Sequence, residues 1–355
     1  MKVLFDHQLF SYQRYGGASK YFAMLIANLP PNEWDTSTIF SNNEYVKALQ
    51  LFETHHFLPN KFFRGQGRIM NELNKPYSAY RINRGDFDIF HQTHFEPYCL
   101  KYLKNKPMVT TFHDINFSTY TPNPRIVKYQ KLSLERADAV IAISENTKRD
   151  LLRIFDINEK KIHVIYHGID IDDTPTTPIM DEPYILYVGS RYGNKNFDRF
   201  AKAVSILSQR NINIKVVCTL APFSNQEKIF LNSLKVLDSF VHLSASEQQM
   251  KSLYQHATIF VYPSLYEGFG MPILEAMANH CPALLANASC FPEIAGDAAL
   301  YFDAENEDDM ASKIEQLIQD SSLREQLSSK GDTRVRQFSW KRCADEHRKV
   351  YQTLL

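Results

Sequence analysis

Tyr184-Ile185-Leu186-Tyr187-Val188-Gly189-Ser190-Arg191-Tyr192-Gly193-Asn194-Lys195-Asn196-Phe197 is a short apolar run that leads through a polar, glycine-containing stretch into a helical pattern beginning near Asn196. That order reads as a buried strand, a turn and a helix. It recurs along the chain. Candidate strands occupy residues 2–6, 108–112, 139–143 and 162–166, then 184–188, 214–218, 259–262 and 282–286, with stretches of helical period between them. The alternation predicts parallel sheets covered by helices, an α/β class.

The strands fall into two groups. Between them Asp170-Ile171-Asp172-Asp173-Thr174-Pro175-Thr176-Thr177-Pro178 is polar and without periodicity, as an interdomain linker is. The chain has 355 residues, enough for two domains at ~100–200 residues each. The expected division is residues 1–170 and 178–337, each a doubly wound, Rossmann-like unit. Residues 338–355 read as a final helix whose destination the spacing leaves open, packing back on the first domain being one option.

Bulk composition narrows the function. Hydrophobic residues make up 44% and charged residues 23%, the balance of a soluble globular protein. Forty basic side chains balance forty acidic ones, which argues against nucleic acid as a partner. Cys99, Cys218, Cys281, Cys290 and Cys343 are scattered, with neither a disulfide framework nor zinc spacing, so a reducing cytoplasm is expected. The sequence has no signal-peptide pattern and no apolar run of about 18 residues.

In open parallel sheets, ligands bind beyond the carboxyl ends of strands, where helix N-termini attract anions. Three strand-to-helix turns stand out. Gly16-Gly17 opens a helix whose Tyr21, Phe22, Leu25, Ile26 and Leu29 share one stripe, and bare glycines let the backbone approach a phosphate; a plain tight turn explains the pair equally well. Arg191 and Lys195 put a forked cation and a point charge where a diphosphate fits. In Glu267-Gly268-Phe269-Gly270-Met271-Pro272-Ile273-Leu274-Glu275, Pro272 suits the first helical position, which puts Glu267 in the turn and Glu275 in the first helical turn. Two carboxylates around bare amides suit sugar or ribose hydroxyls; a helix dipole needs only one.

With these motifs in place, the sequence resembles the retaining GT-B glycosyltransferases of family 4, marked by two glutamates separated by seven residues. Glu267 and Glu275 have that spacing. Further matches run in order: Tyr15-Gly16-Gly17, Phe112-His113-Asp114, Ala142-Ile143-Ser144-Glu145, Arg191 with Lys195-Asn196, and Phe291-Pro292-Glu293-Ile294-Ala295-Gly296-Asp297. The resemblance implies two Rossmann-like domains facing across a cleft. It also implies a GDP- or UDP-sugar co-substrate, with no other cofactor and no metal. Arg191 and Lys195 would hold the donor diphosphate, with Gly17 and its neighbours opposite. His113 would lie beside the transferred sugar. Glu267 and the amides of Phe269 to Pro272 would hold sugar hydroxyls and diphosphate, and Glu275 the ribose. Ser244 would lie near the base. Attack from the face the nucleoside diphosphate leaves would retain configuration, and a covalent intermediate on Glu267 is the less favoured route. The opening Asp6-His7-Gln8-Leu9-Phe10 looks like bacterial polysaccharide-assembly enzymes, often mannosyltransferases, whose acceptor is a glycan or a polyprenyl-diphosphate-linked saccharide. The rivals are a nucleotide-sugar 2-epimerase and a non-catalytic sugar-nucleotide-binding subunit.

Other signals have plainer readings. Asp86 and Asp88 precede a strand, and Asp170 and Asp172 belong to the linker, so neither D-x-D is read as a metal site. His91 and His94 are spaced to put their rings on opposite faces of a strand. Ser144 reads as a helix N-cap, and the acidic run 303–309 as a helix start. Residues 60–84 are basic and interleaved with aromatics, which suits peripheral contact with the inner leaflet as well as it suits a solvated helix.

Overall fold

The computed structural model describes residues 1–58, 61, 63–115 and 123–355. The chain forms two compact units, Met1–Gly168 with Ser339–Leu355, and Ile169–Phe338.

The first unit is built on six strands: β1 (Val3–Phe5), β2 (Trp34–Thr36), β3 (Ile89–Gln92), β4 (Met108–Phe112), β5 (Ala139–Ala142) and β6 (Ile162–Val164). They pair in parallel in the order β2-β1-β3-β4-β5-β6. Every residue of β1, β3, β4 and β5 is buried, as expected of a parallel sheet covered on both faces. The second unit repeats the plan with β7 (Tyr184–Tyr187), β8 (Lys215–Cys218), β9 (Phe240–His242), β10 (Ile259–Tyr262), β11 (Ala283–Ala286) and β12 (Ala299–Phe302). Their order is β12-β11-β10-β7-β8-β9, again all parallel. The winding reverses between β7 and β10, so the switch point of this sheet, where ligands bind in such folds, lies beyond those two strands.

Local chemistry explains the helix ends. The helix Gly17–Ala27 buries Tyr21, Phe22, Leu25 and Ile26, and the chain leaves it just before Pro30. Ser144 caps its helix by accepting the Thr147 N–H at 3.0 Å. Asn306 caps Glu307–Gln319, where Glu307, Asp308 and Asp309 occupy the first turn and complement the dipole.

The helix Trp340–Gln352, capped by Ser339, belongs to the first unit and buries Trp340, Cys343, Ala344, His347, Val350 and Tyr351. The hydroxyl of Tyr351 lies 2.6 Å from Nδ1 of His91, and Nε2 of His347 lies 2.7 Å from the hydroxyl of Tyr21. Arg348 forms a two-pronged pair with Glu33 at 2.6 and 2.7 Å. Where the chain leaves this unit, a Cβ on Gly168 would stand 2.1 Å from the backbone nitrogen of Trp340, so only glycine fits.

Of the basic stretch 60–84, Asn60 and Phe62 lie outside the described residues. Three bases of the helix Gln66–Arg84, Lys75, Arg81 and Arg84, are paired with acids. Lys75 pairs with Glu96 at 2.5 Å and Glu72 at 2.6 Å, and Arg81 pairs with Asp35 at 2.6 Å. Ile69, Leu73 and Tyr80 stay exposed.

Candidate functional site

Two asparagines stitch the loops that follow β7 and β10. Asn194 donates to the carbonyl of Tyr266 at 2.6 Å and accepts the Leu265 N–H at 2.7 Å. Asn196 sits at φ 57°, a left-handed conformation that asparagine tolerates, and donates to the carbonyls of Pro263 and Ala304. Held this way, Lys195 forms an ion pair with Glu267. Its Nζ also lies 3.5 Å from the hydroxyl of Tyr262, the last residue of β10. Burial, reinforced by the Glu267 carboxylate, pushes that hydroxyl well above its ordinary value and keeps it a neutral hydrogen-bonding group. Ser289 brackets the Glu267 backbone, accepting its N–H at 3.1 Å and donating to its carbonyl at 2.6 Å.

Gly270, at φ +85°, turns the chain into the helix Met271–Ala278, and a Cβ there would strike Ile273 at 2.9 Å. Gly268 and Phe269 are buried, with Phe269 edge-on to Phe338. Met271 and Pro272 are half-buried in the first turn. The expected position of Glu275 needs correction. Met271 takes the first helical position, so Pro272 falls second and Glu275 lies past the first turn, which contains no acidic residue. Helix-dipole capping therefore does not account for Glu275. Its Oε2 accepts a 3.0 Å bond from the hydroxyl of Tyr254.

Arg191 and Lys195 each engage an acid of their own. The Arg191 guanidinium is buried against Glu227, with Nε 2.7 Å from Oε1, and lies 4.5 Å from the ring centre of Phe223. Burial acts to raise the Glu227 carboxyl, but hydrogen bonds from Arg191 and Ser224 outweigh it and hold it below the usual range. Ser244 is exposed, in the loop between β9 and the helix Glu247–His256.

In the first unit the glycine pair divides into two roles. The position a Gly16 side chain would take is filled by Gln13, whose Oε1 also accepts the Ser19 N–H, whereas Gly17 faces open space. His113 follows β4 edge-on to Tyr21, with ring centres 5.0 Å apart. Burial pushes it down to about 3, so the ring is neutral, and its Nε2 finds no partner among the described residues.

The D-x-D carboxylates have structural partners: Asp88 accepts the Lys2 N–H at 2.7 Å, Asp86 pairs with Arg84 at 3.3 Å and Asp172 with Lys251 at 2.6 Å. Among the described residues no group of three or more His, Cys, Asp or Glu is arranged to hold a metal ion. No helix among them is long and apolar enough to cross a membrane.

Tyr262, Tyr254, Asn194, Ser289 and Glu227 were not singled out by the sequence. Only Tyr262 carried a signal there, as the polar-tipped end of an apolar strand.

Comparison with known proteins gives concordant results. Residues 15–173 match the model for Glycosyltransferase Family 4, and residues 170–334 that for Glycosyl transferases group 1. The O-antigen chain mannosyltransferase B of Escherichia coli is 30% identical over 69% of this chain and 70% of its own length. The O-antigen chain mannosyltransferase RfbU of Salmonella typhimurium is 31% identical over 61% of this chain and 62% of its own. Among solved structures, Anabaena Alr3699/HepE in complex with UDP and glucose superposes with a TM-score of 0.79 at 17% identity, covering 99% of this chain and 100% of the other. That likeness identifies the fold as GT-B.

Proposed function

Because the chain belongs to the family 4, group 1 glycosyltransferases, and is therefore a glycosyltransferase, we propose that it moves mannose, with retention of configuration and without a metal, from a GDP- or UDP-linked donor. The acceptor is a glycan or a polyprenyl-diphosphate-linked saccharide of surface polysaccharide. Mannose and polysaccharide rest on the two O-antigen mannosyltransferase relatives. The observation carrying the site is the Lys195–Glu267 ion pair at the switch point of the second sheet.

On this reading the donor diphosphate takes Lys195 and Arg191, while Glu267 accepts from sugar hydroxyls and Glu275 from the ribose. The backbone of Gly268 to Pro272 lines the same pocket and Ser244 borders the base. In the first unit, Gly17 and His113 are assigned polar-ligand contacts, because Gly17 faces open space and Nε2 of His113 is a buried atom with no partner among the described residues. As the bond from the anomeric carbon to the phosphate oxygen breaks, charge grows on the leaving diphosphate, where fixed cations stabilise it. The acceptor hydroxyl attacks from the same face, and its proton passes to a phosphate oxygen of the departing nucleotide. Lys195 and Arg191 supply the positive charge that a divalent ion supplies in metal-dependent transferases.

Donor turnover with GDP-mannose and a panel of UDP-sugars tests this. Glu267→Ala, Arg191→Ala and Lys195→Ala should each lower kcat by roughly 10²–10³-fold, and wild-type activity should survive chelator. Near-normal transfer in all three variants rejects the site, and an epimerised donor without acceptor would favour the epimerase.

The same reading makes this a cytoplasmic enzyme that docks on the inner leaflet. Ile69, Leu73 and Tyr80 lie on one side of their helix, with exposed Arg64 and Arg68 nearby. Changing both arginines to Gln should weaken sedimentation with anionic vesicles by about tenfold or more, at about 1 kcal/mol per charge. Lys75→Gln should have little effect, its charge being already paired. Unchanged binding by the double variant removes the idea.

A further inference from the structure

Glu227 lies outside every motif of the sequence, yet it governs where Arg191 points. It occupies the third position of the helix Asn225–Ser233 in a reciprocal cap: its N–H donates to Ser224 Oγ at 3.2 Å, and its Oε2 accepts the Ser224 N–H at 2.7 Å. Backbone and side chain are thus both fixed before Arg191 is considered. The carboxylate then accepts from Nε of Arg191 at 2.7 Å and from Nη2 at 3.4 Å, while Nη2 also donates to the carbonyl of Pro222 at 3.0 Å. The Phe223 ring covers the guanidinium at 4.5 Å. Nη1 is the guanidinium nitrogen that these hydrogen bonds, made by Nε and Nη2, leave over. A planar fork gripped on one edge and one face can offer only its remaining edge, in one direction.

We propose that Glu227 is a positioning residue for donor turnover: it orients Arg191 so that Nη1 is presented to the diphosphate. The inference rests on Arg191 being a donor residue, as read above. Glu227 touches no substrate. Its carboxylate also offsets part of the Arg191 charge, so its value to the reaction lies in direction and not in added positive potential. A helix cap alone would need neither the Arg191 contact nor a side chain that reaches past Ser224, and Gln249 serves the equivalent cap of Glu247–His256 without an arginine.

The test is a double-mutant cycle on kcat and KM for GDP-mannose, with thermal unfolding of each variant alongside. Glu227→Ala should lower kcat/KM by roughly 10–100-fold, the loss usual when an orienting partner is removed. Glu227→Gln, which keeps an acceptor for Nε, should recover most of it. Ser224→Ala weakens the cap but leaves the Arg191 contact, so it should lower Tm without moving kcat/KM. If Glu227 acts through Arg191, the Arg191→Ala/Glu227→Ala variant is no slower than Arg191→Ala. Where Glu227→Ala fails to fold, Glu227→Asp, which withdraws the carboxylate by one methylene, replaces it in the cycle with the same expectation. Additive losses, or normal kcat/KM in a folded Glu227 variant beside a slow Arg191→Ala, overturn the inference and leave the donor site standing. A normal Arg191→Ala overturns Arg191's part in that site and the inference with it.

Discussion

Each sheet sets polar side chains at or near the carboxyl ends of its strands, but the two sets hold opposite kinds of chemistry. In the first unit His91, His113 and His347 lie among Tyr21 and Tyr351 as neutral rings. Burial pushes His113 to about 3, His347 to about 4 and His91 well below its ordinary value. Their bonds are largely internal: His91 to Tyr351 and Thr111, His347 to Tyr21. In the second unit Lys195 faces Glu267 and Arg191 faces Glu227 as ion pairs, and side-chain exposures of 21%/15% for the first pair leave it within reach of solvent. A closed neutral network is costly to open, because each freed polar atom is left unsatisfied. A partly solvated ion pair can trade one partner for an incoming anion at much lower cost. The contrast teaches that burial closes one polar cluster on itself, while partial exposure at a switch point leaves the other able to exchange partners.

The severest way to break this comparison is to swap the charges, Lys195→Glu with Glu267→Lys. The pair survives, so Tm should stay near wild type, while kcat falls by about 10²–10³-fold. Turnover close to wild type would make the pair a brace and nothing more.

Acid should separate the two units next. The buried rings have folded pKa values below the histidine value of about 6.5 in an unfolded chain, so the unfolded state binds protons first. The stability they confer is whole above about pH 6.5 and drains as pH falls toward 4, by up to about 1.4 kcal/mol per pH unit for each ring. Both tryptophans, Trp34 and Trp340, belong to the first unit. Tryptophan emission should therefore shift at a higher pH than the bulk of the far-UV dichroism is lost. Coincident transitions below pH 4 would contradict neutral histidines.

The mildest effect is expected from Tyr351→Phe, which removes the bond to His91. It should lower stability by about 1–2 kcal/mol in chemical unfolding and leave turnover alone; a fall in kcat would move the network into the site.

Legibility in the sequence follows burial and distance. Eight strands stood out as apolar runs. Of those that did not, β2 and β9 are edge strands whose Asp35 and His242 break the apolar run, whereas β12, Ala299-Leu300-Tyr301-Phe302, is an apolar edge strand that the strand reading passed over. β3 reads Ile89-Phe90-His91-Gln92, and its polar half is buried because Tyr351 and Thr111 partner His91 while Glu96, Cys99 and Thr110 partner Gln92. Lys195 and Glu267 were visible because strand-to-helix turns carry their own punctuation. Glu227 was not, since its meaning depends on Arg191, 36 positions away.

The crossing of the chain at Gly168 and Ser339 also orders events on the ribosome. When residue 168 emerges, all six strands of the first unit exist, but Tyr351 and His347 have not been made, so His91 and Tyr21 lack those partners. The second unit, encoded later, is uninterrupted and can close by itself. The nascent protein therefore finishes its later half first and its earlier half last, and for the whole synthesis of Ile169–Phe338 an unfinished sheet waits for its covering helix, the interval in which a holding chaperone has most to do.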